Sequence, residues 1–154
     1  MNTATATDRY LEPGWLTRNV FNRLMSGLTR LGLSVRGSRV LAVRGRTSGE
    51  WRTTPVNPLT IGADTYLVAP RGTTDWVRNI RVAGGGELRR GRRHQAITVT
   101  EITDDAVKVP ILRTYLRTWK MEVGAFFDGV GPDAPDGDLR SIAAGYPVFR
   151  VTAP

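Results

Sequence analysis

The residues best suited to chemistry lie in a short turn between two predicted strands. Val40–Val43 is a β-branched apolar run typical of a buried strand, and Gly45 and Gly49 follow it in a polar turn. Side chains with hydroxyl or guanidinium groups flank the glycines: Arg44, Arg46, Thr47, Ser48 and Arg52. Because glycine lets a ligand approach the backbone and guanidinium groups bind oxyanions, the turn predicts a phosphate or carboxylate site. A polar hairpin whose arginines keep a sheet edge soluble is the other interpretation.

The composition agrees with anion recognition. The 154 residues fit one domain, and the formal charge of +8 comes from 22 basic and 14 acidic residues. Only Lys108 and Lys120 are lysines, so arginine, which binds oxyanions with two parallel hydrogen bonds, dominates. A GC-rich genome would give the same bias. The lack of cysteine and the absence of a signal-peptide pattern in Met1–Asp8 lead us to expect a cytoplasmic protein.

The N-terminal region predicts a tail followed by a helix. We expect residues 1–12 to form a disordered tail and residues 13–154 to form a single domain. That domain begins with an amphipathic helix, Pro13–Leu33, whose apolar residues recur at steps of about four. Packing of this helix on its own domain is the favoured interpretation. A basic amphipathic helix with Trp15 at its start could instead contact an anionic membrane surface through residues 15–31, as a peripheral attachment.

The rest of the chain predicts an α+β fold with an antiparallel sheet or barrel of about six strands. Its predicted strands are Val40–Val43, Thr53–Thr60, Thr65–Ala69, Glu87–Arg90, Gln95–Ile102 and Pro147–Val151. Its predicted helices are Asp75–Val82, Asp105–Val123 and Asp138–Ala143. Pro55 and Pro58 place the second strand at an edge or around a bulge, and Thr73 or Thr74 is expected to cap the first of these helices. Pro110 suggests that the next helix becomes regular only from that residue.

Several kinds of site are disfavoured by the spacing of the reactive residues. Gly45 and Gly49 precede a strand pattern, whereas a dinucleotide fingerprint requires a helix there. His94 is the only histidine and there are no thiols, so we expect no metal site, and Ser48 has no good candidate base. The acidic cluster at 133–138 lacks the spacing of a calcium loop.

Nucleic acid is not expected as a partner. Basic residues such as those of the 89–93 segment would attract phosphates, but the charges are scattered and no helix-turn-helix or stacking motif accompanies them. The chain has many groups that hold anions and few that act as acid, base or nucleophile. If it is an enzyme, its reactive chemistry therefore belongs to a bound cofactor.

Four motifs resemble, in order and spacing, the deazaflavin-dependent nitroreductase family of actinobacteria. They are Gly45–Gly49, Arg52–Pro55, Ala69–Gly72 and Trp76–Ile80. The resemblance implies a split β-barrel of the FMN-binding-like type and the deazaflavin coenzyme F420, which has a flat ring at one end and a phosphate with glutamates at the other. It implies hydride transfer from the reduced coenzyme, F420H2, to a small-molecule quinone, nitroaromatic or enone-type acceptor.

The resemblance also assigns site residues. Those that grip the phosphate are Arg46, Thr47, Ser48 and Arg52. Those that shape the ring pocket through backbone contacts are Thr54, Pro55, Val56, Ala69, Pro70, Arg71 and Gly72. Trp76 and Asn79 match the family's conserved tryptophan and asparagine and close the pocket. No catalytic side chain is assigned, and members of the family are often homodimers.

The sequence departs from the family at two places. Many relatives carry a basic residue where this chain has Thr47, a loss for which Arg44 could compensate. Some relatives use tyrosines before the last strand on the substrate side, where this chain offers Phe126, Phe127 and Tyr146. We therefore assign no proton donor, and the proton can come from solvent. The alternative function is a split-barrel protein that binds a lipid or another apolar ligand without catalysis.

Overall fold

The part of the chain that positions the candidate site is described by a computed structural model. It covers residues 38–154, without the side chains of residues 120–123 and 125. The predicted tail at 1–12 and the predicted helix at 13–33, with its proposed membrane contact, lie outside the described residues.

A sheet of seven strands, each pairing antiparallel with its neighbours, forms the framework. The strands are β1 (Arg39–Arg44), β2 (Trp51–Val56), β3 (Leu59–Ile61), β4 (Asp64–Val68), β5 (Gly85–Arg90), β6 (Arg93–Ile102) and β7 (Val148–Thr152). Their spatial order is β2-β1-β5-β6-β7-β4-β3. The predicted antiparallel α+β architecture is therefore confirmed within residues 38–154.

The strand prediction needs one correction, because Thr53–Thr60 is not a single strand. The chain forms β2 and β3 instead, and these two strands lie at opposite edges of the sheet. Asn57 and Pro58 separate them. Proline has no N–H for the ladder and restricts the residue before it, so pairing stops there. The described sheet thus has seven strands rather than about six.

Three α-helices and two short 3₁₀ turns complete the described region. They are α1 (Asp75–Ala83), α2 (Asp105–Val123), α3 (Asp136–Ile142) and the turns Gly124–Phe126 and Ala143–Gly145. Contrary to expectation, α2 is helical before Pro110, because the Asp104 carboxylate accepts a hydrogen bond from the Ala106 N–H at 2.9 Å and caps the first turn. Its regular geometry breaks at Trp119, where φ is −120°.

The two faces of the sheet are buried in two separate cores. On the inner face, α1 packs Val77 and Ile80 against strand residues that include Leu41 and Phe149. On the outer face, α2 and α3 cover the β7, β4 and β3 end through their buried residues, which are Val109, Ile111, Leu112, Tyr115, Leu116, Trp119 and Leu139. The helix predicted over Asp105–Val123 is thus present and buries one apolar side. Within residues 38–154, no helix is long and apolar enough to cross a membrane.

Candidate functional site

The turn between β1 and β2 is closed by its own hydrogen bonds. The Gly45 N–H donates to the Glu50 carbonyl at 2.8 Å, and the Gly49 N–H donates to the Gly45 carbonyl at 2.9 Å. Gly49 has a φ of 71°, a conformation that glycine adopts without strain. The Ser48 hydroxyl accepts a hydrogen bond from the Glu50 N–H at 3.2 Å, and Thr47 is exposed beside it. The predicted hairpin is therefore present, with its hydroxyl groups at the surface.

Asn79 of α1 fastens this turn to the helix. Its side-chain oxygen accepts hydrogen bonds from the Arg46 backbone N–H at 3.1 Å and from Arg46 Nη1 at 2.8 Å. Arg46 Nη2 also lies 3.4 Å from a carboxylate oxygen of Asp75. Asn79 is buried, whereas Arg46 keeps 38% of its side chain exposed. The structure thus brings two predicted site residues together, with the guanidinium group of Arg46 still open to solvent.

The register of the hairpin sorts its arginines onto different faces. Arg52 pairs with Val43, so it shares the inner face with Thr54 and Val56. Arg44 pairs with Trp51 and lies on the outer face. Its guanidinium carbon stands 4.0 Å from the centre of the Trp51 ring, and its Nη1 donates to the Gly49 carbonyl at 3.2 Å. Arg44 therefore does not join Arg46 and Arg52, and it is badly placed to compensate for Thr47.

The charge of Arg52 is not neutralised within residues 38–154. Other arginines pair with carboxylates, such as Arg81 with Glu101 at 2.8 Å and Arg150 with Asp64 at 2.6 Å. In the same range no acidic side chain pairs with Arg52, which is exposed on the inner side of the edge strand β2. A guanidinium group in this state is suited to an anionic ligand.

Several of the predicted ring-pocket residues lie at the inner core or in the turn next to it. Val56, Ala69 and Trp76 all pack against it, and the Trp76 ring lies 5.8 Å from the Phe149 ring at a tilt of 55°. Pro70 and Arg71 are half-buried in the turn that joins β4 to α1. Gly72, at a φ of 84°, donates from its N–H to the Ala69 carbonyl at 3.2 Å. Residues from β2, from the β4–α1 turn and from α1 thus contribute to the same core.

Two buried polar atoms in these segments have no hydrogen-bond partner among the described residues: Asn57 Oδ1 and Thr74 Oγ1. Thr74 occupies the N-cap position of α1, as predicted, although its hydroxyl makes no capping hydrogen bond. Asn57 follows β2 directly. An unpaired buried polar atom costs about 1–3 kcal/mol, which ligand-binding regions tolerate. No sequence pattern singles out Asn57, so its position in the structure is what makes it a candidate.

Tyr146 and Phe127 belong to the outer core rather than to the candidate site. Their rings stack at 4.2 Å and 7°, and both residues are completely buried. The Tyr146 hydroxyl donates to the Phe126 carbonyl. A phenol held in this way cannot deliver a proton to a ligand on the inner face. Within residues 38–154, no group of three or more histidine or acidic side chains could hold a metal ion.

The sequence is similar to one known protein family. A model of the F420H2-dependent quinone reductase family matches residues 16–122. No curated protein matches the sequence.

Solved structures show the same fold. An F420-H2 dependent reductase (FDR-A) superimposes with a TM-score of 0.51 at 15% identity, covering 76% of this chain and 95% of that one. The conserved hypothetical protein Rv2991 from Mycobacterium tuberculosis gives a TM-score of 0.50 at 13% identity, covering 75% of this chain and 72% of that one. The expected split-barrel α+β class is thereby confirmed.

The family match confirms the resemblance drawn from the four motifs, because it spans more than half of the chain and includes the hairpin turn, the ring-pocket segments and α1. The chain belongs to the F420H2-dependent quinone reductase family, and it is an oxidoreductase that uses the reduced coenzyme F420.

Proposed function

We propose that this protein transfers a hydride from F420H2 to a quinone, with the coenzyme held between the β1–β2 turn and helix α1. The observation that carries the proposal is the pair of hydrogen bonds from Arg46 to Asn79. These bonds join the turn rich in anion-binding groups to the helix that presents Trp76. One end of the site is thus cationic and the other apolar, as a coenzyme with a phosphate and a flat ring requires.

The cationic end suits the phosphate of F420. Arg46 and Arg52 supply guanidinium groups, and Thr47 and Ser48 supply hydroxyls at the same turn. No carboxylate among residues 38–154 pairs with Arg52, and the main side-chain partner of Arg46 is the neutral carboxamide of Asn79. Both groups can therefore bind an anion without breaking a strong ion pair.

The apolar end suits the deazaflavin ring. Trp76, Val56 and Ala69 offer apolar surface, and the backbone of the neighbouring residues offers hydrogen-bonding groups: Thr54, Pro55, Pro70, Arg71 and Gly72. Asn57 Oδ1 and Thr74 Oγ1 are unsatisfied polar atoms in the same segments. A ring with polar edges fits such a lining. When bound, the reduced coenzyme supplies the hydride, while the protein supplies binding and orientation.

The acceptor in this proposal is a quinone, in agreement with the family. A hydride and a proton together convert a quinone to a hydroquinone. The Tyr146 hydroxyl is bonded within the outer core and is not its donor, so the proposal takes the proton from solvent. Nitroaromatic and enone acceptors are also electrophiles that a flat site can admit. We place quinone first because the matching family is one of quinone reductases. Binding of a lipid without catalysis, the alternative function, is not favoured by membership of a reductase family.

Titration with F420 tests the proposal. The coenzyme's fluorescence should change saturably with added protein, and oxidation of F420H2 should then be followed with a quinone, a nitroaromatic and an enone in parallel. We expect quinone to be turned over fastest. Saturable binding without turnover of any acceptor would refute the enzymatic function, and an absence of binding would refute the site.

A further inference from the structure

The outer face of β1, β2 and β5 carries a group of side chains that the reductase chemistry does not use. Arg44 and Arg89 both approach the ring of Trp51, with guanidinium carbons 4.0 Å and 5.1 Å from its centre. Trp51 is nevertheless 38% exposed. Such cation–π contacts hold two charges and an indole together at the surface. We call this group the Trp51 face.

The register places these residues on the side opposite the candidate site. Arg44 pairs with Trp51, and Arg89 pairs with Val40 on the same face as Glu87. Arg52, Val56 and α1 lie on the inner side. A ligand on the Trp51 face would therefore not compete with the coenzyme.

The Trp51 face and the adjacent β5–β6 turn are basic. Arg92 of that turn is exposed. In β1, β2 and β5, the one carboxylate on the outer face is Glu87, which bonds to Arg89 at 2.8 Å. The net positive charge attracts an anionic surface.

We propose that the Trp51 face docks on an anionic phospholipid membrane. The amphipathic indole and the arginines are the residue types favoured at the headgroup layer of a bilayer. Nucleic acid fits less well, because Arg44 lies over the indole ring that a base would need for stacking. Quinones with isoprenoid chains dissolve in the bilayer, so docking would bring the enzyme to such acceptors. This last link rests on the proposed function, whereas membrane binding itself does not.

Vesicle sedimentation tests the docking. The full-length protein should bind vesicles of phosphatidylcholine mixed with phosphatidylglycerol, should not bind phosphatidylcholine alone, and should dissociate as salt is raised. Replacing Arg44 and Arg89 together by alanine should lower the partition coefficient about thirtyfold. The matched control is Arg117→Ala with Arg140→Ala, which removes one charge each from α2 and α3. This control should change the partition coefficient by much less.

Further variants keep the test independent of folding and of catalysis. Arg92→Ala changes only an exposed side chain and should also weaken binding. Trp51→Phe should reduce the lipid-dependent blue shift of the tryptophan fluorescence. All variants should still reduce a water-soluble quinone. If the wild-type protein failed to reduce it, that result would contradict the proposed function and not the membrane docking. Equal losses in the control pair, or binding to duplex DNA but not to anionic vesicles, would overturn the docking proposal.

Discussion

The Asn79 side-chain oxygen accepts two hydrogen bonds from Arg46, a residue 33 positions earlier in the chain. One bond fixes the backbone of the turn and the other fixes the guanidinium group. The asparagine is buried, and the arginine reaches solvent. This geometry gives Asn79 a positioning role, in which it aims the anion-binding turn from a helix on the inner face.

Replacing Asn79 tests this role. Asn79→Ala leaves the part-buried Arg46 N–H without its acceptor, so we expect the free energy of unfolding to fall by about 1 kcal/mol or more and the Kd for F420 to rise at least about tenfold. Asn79→Asp keeps an acceptor oxygen but places a negative charge beside Arg46, so it should preserve more stability while still weakening F420 binding. Chemical denaturation and fluorescence titration measure the two effects. Unchanged affinity in both variants would contradict the positioning role.

The two arginines that flank the turn on opposite faces give a matched comparison. Arg52→Ala should weaken F420 binding by about 1–3 kcal/mol, because a charge-assisted hydrogen bond to the phosphate is lost. Arg44→Ala removes the same charge from the outer face and should leave the affinity nearly unchanged. Titration at two salt concentrations separates direct contact from long-range attraction. Equal losses in both variants would mean that the phosphate is not held on the inner face.

The sequence was sufficient for the hairpin but not for the sorting of its arginines. A β-branched run followed by glycines predicts a strand and a turn, and both are present. Which face Arg44 and Arg52 occupy depends on the strand register, because a shift of one residue exchanges the faces. The contact of Arg46 with Asn79 joins distant segments and follows no local pattern. Pro58 indicates that the strand is interrupted between β2 and β3. The position of β3 at the opposite edge of the sheet can be known only from the complete sheet topology.

Gly86 allows β5 to lie close to β1. A Cβ atom at this position would stand 2.3 Å from the Ala42 carbonyl oxygen, which belongs to the backbone and cannot turn away. Gly86→Ala should therefore lower the free energy of unfolding by about 3 kcal/mol or more. Gly137→Ala, in α3 where nothing lies within 4 Å of the added atom, should be neutral or stabilising by up to about 1 kcal/mol. Thermal denaturation of the two variants decides the matter, and equal melting temperatures would refute the steric argument.

Lys108 makes stability depend on pH at the alkaline end. It is buried, and its Nζ donates to the Ala143 carbonyl at 2.5 Å. Burial lowers the pKa of Lys108 from its ordinary value of 10.5, while the nearby carboxylates of Asp105 and Glu101 act in the opposite direction. Between the lowered pKa and 10.5 the unfolded chain binds more protons than the folded one. The contribution of Lys108 to the free energy of unfolding therefore rises with pH between these two values.

Lys108→Met should remove this contribution. Below the lowered pKa the lysine is charged in both states and its cost of burial is fully present, and that cost disappears as the folded protein loses the proton. Between neutral pH and pH 10.5, the free energy of unfolding measured by chemical denaturation should thus rise less steeply with pH in the variant than in the wild type. Val107→Met, at an exposed neighbouring position, should retain the wild-type slope. If wild type and Lys108→Met gave parallel curves, Lys108 would carry the same pKa in the folded and unfolded chains, and its burial would have no consequence for alkaline stability.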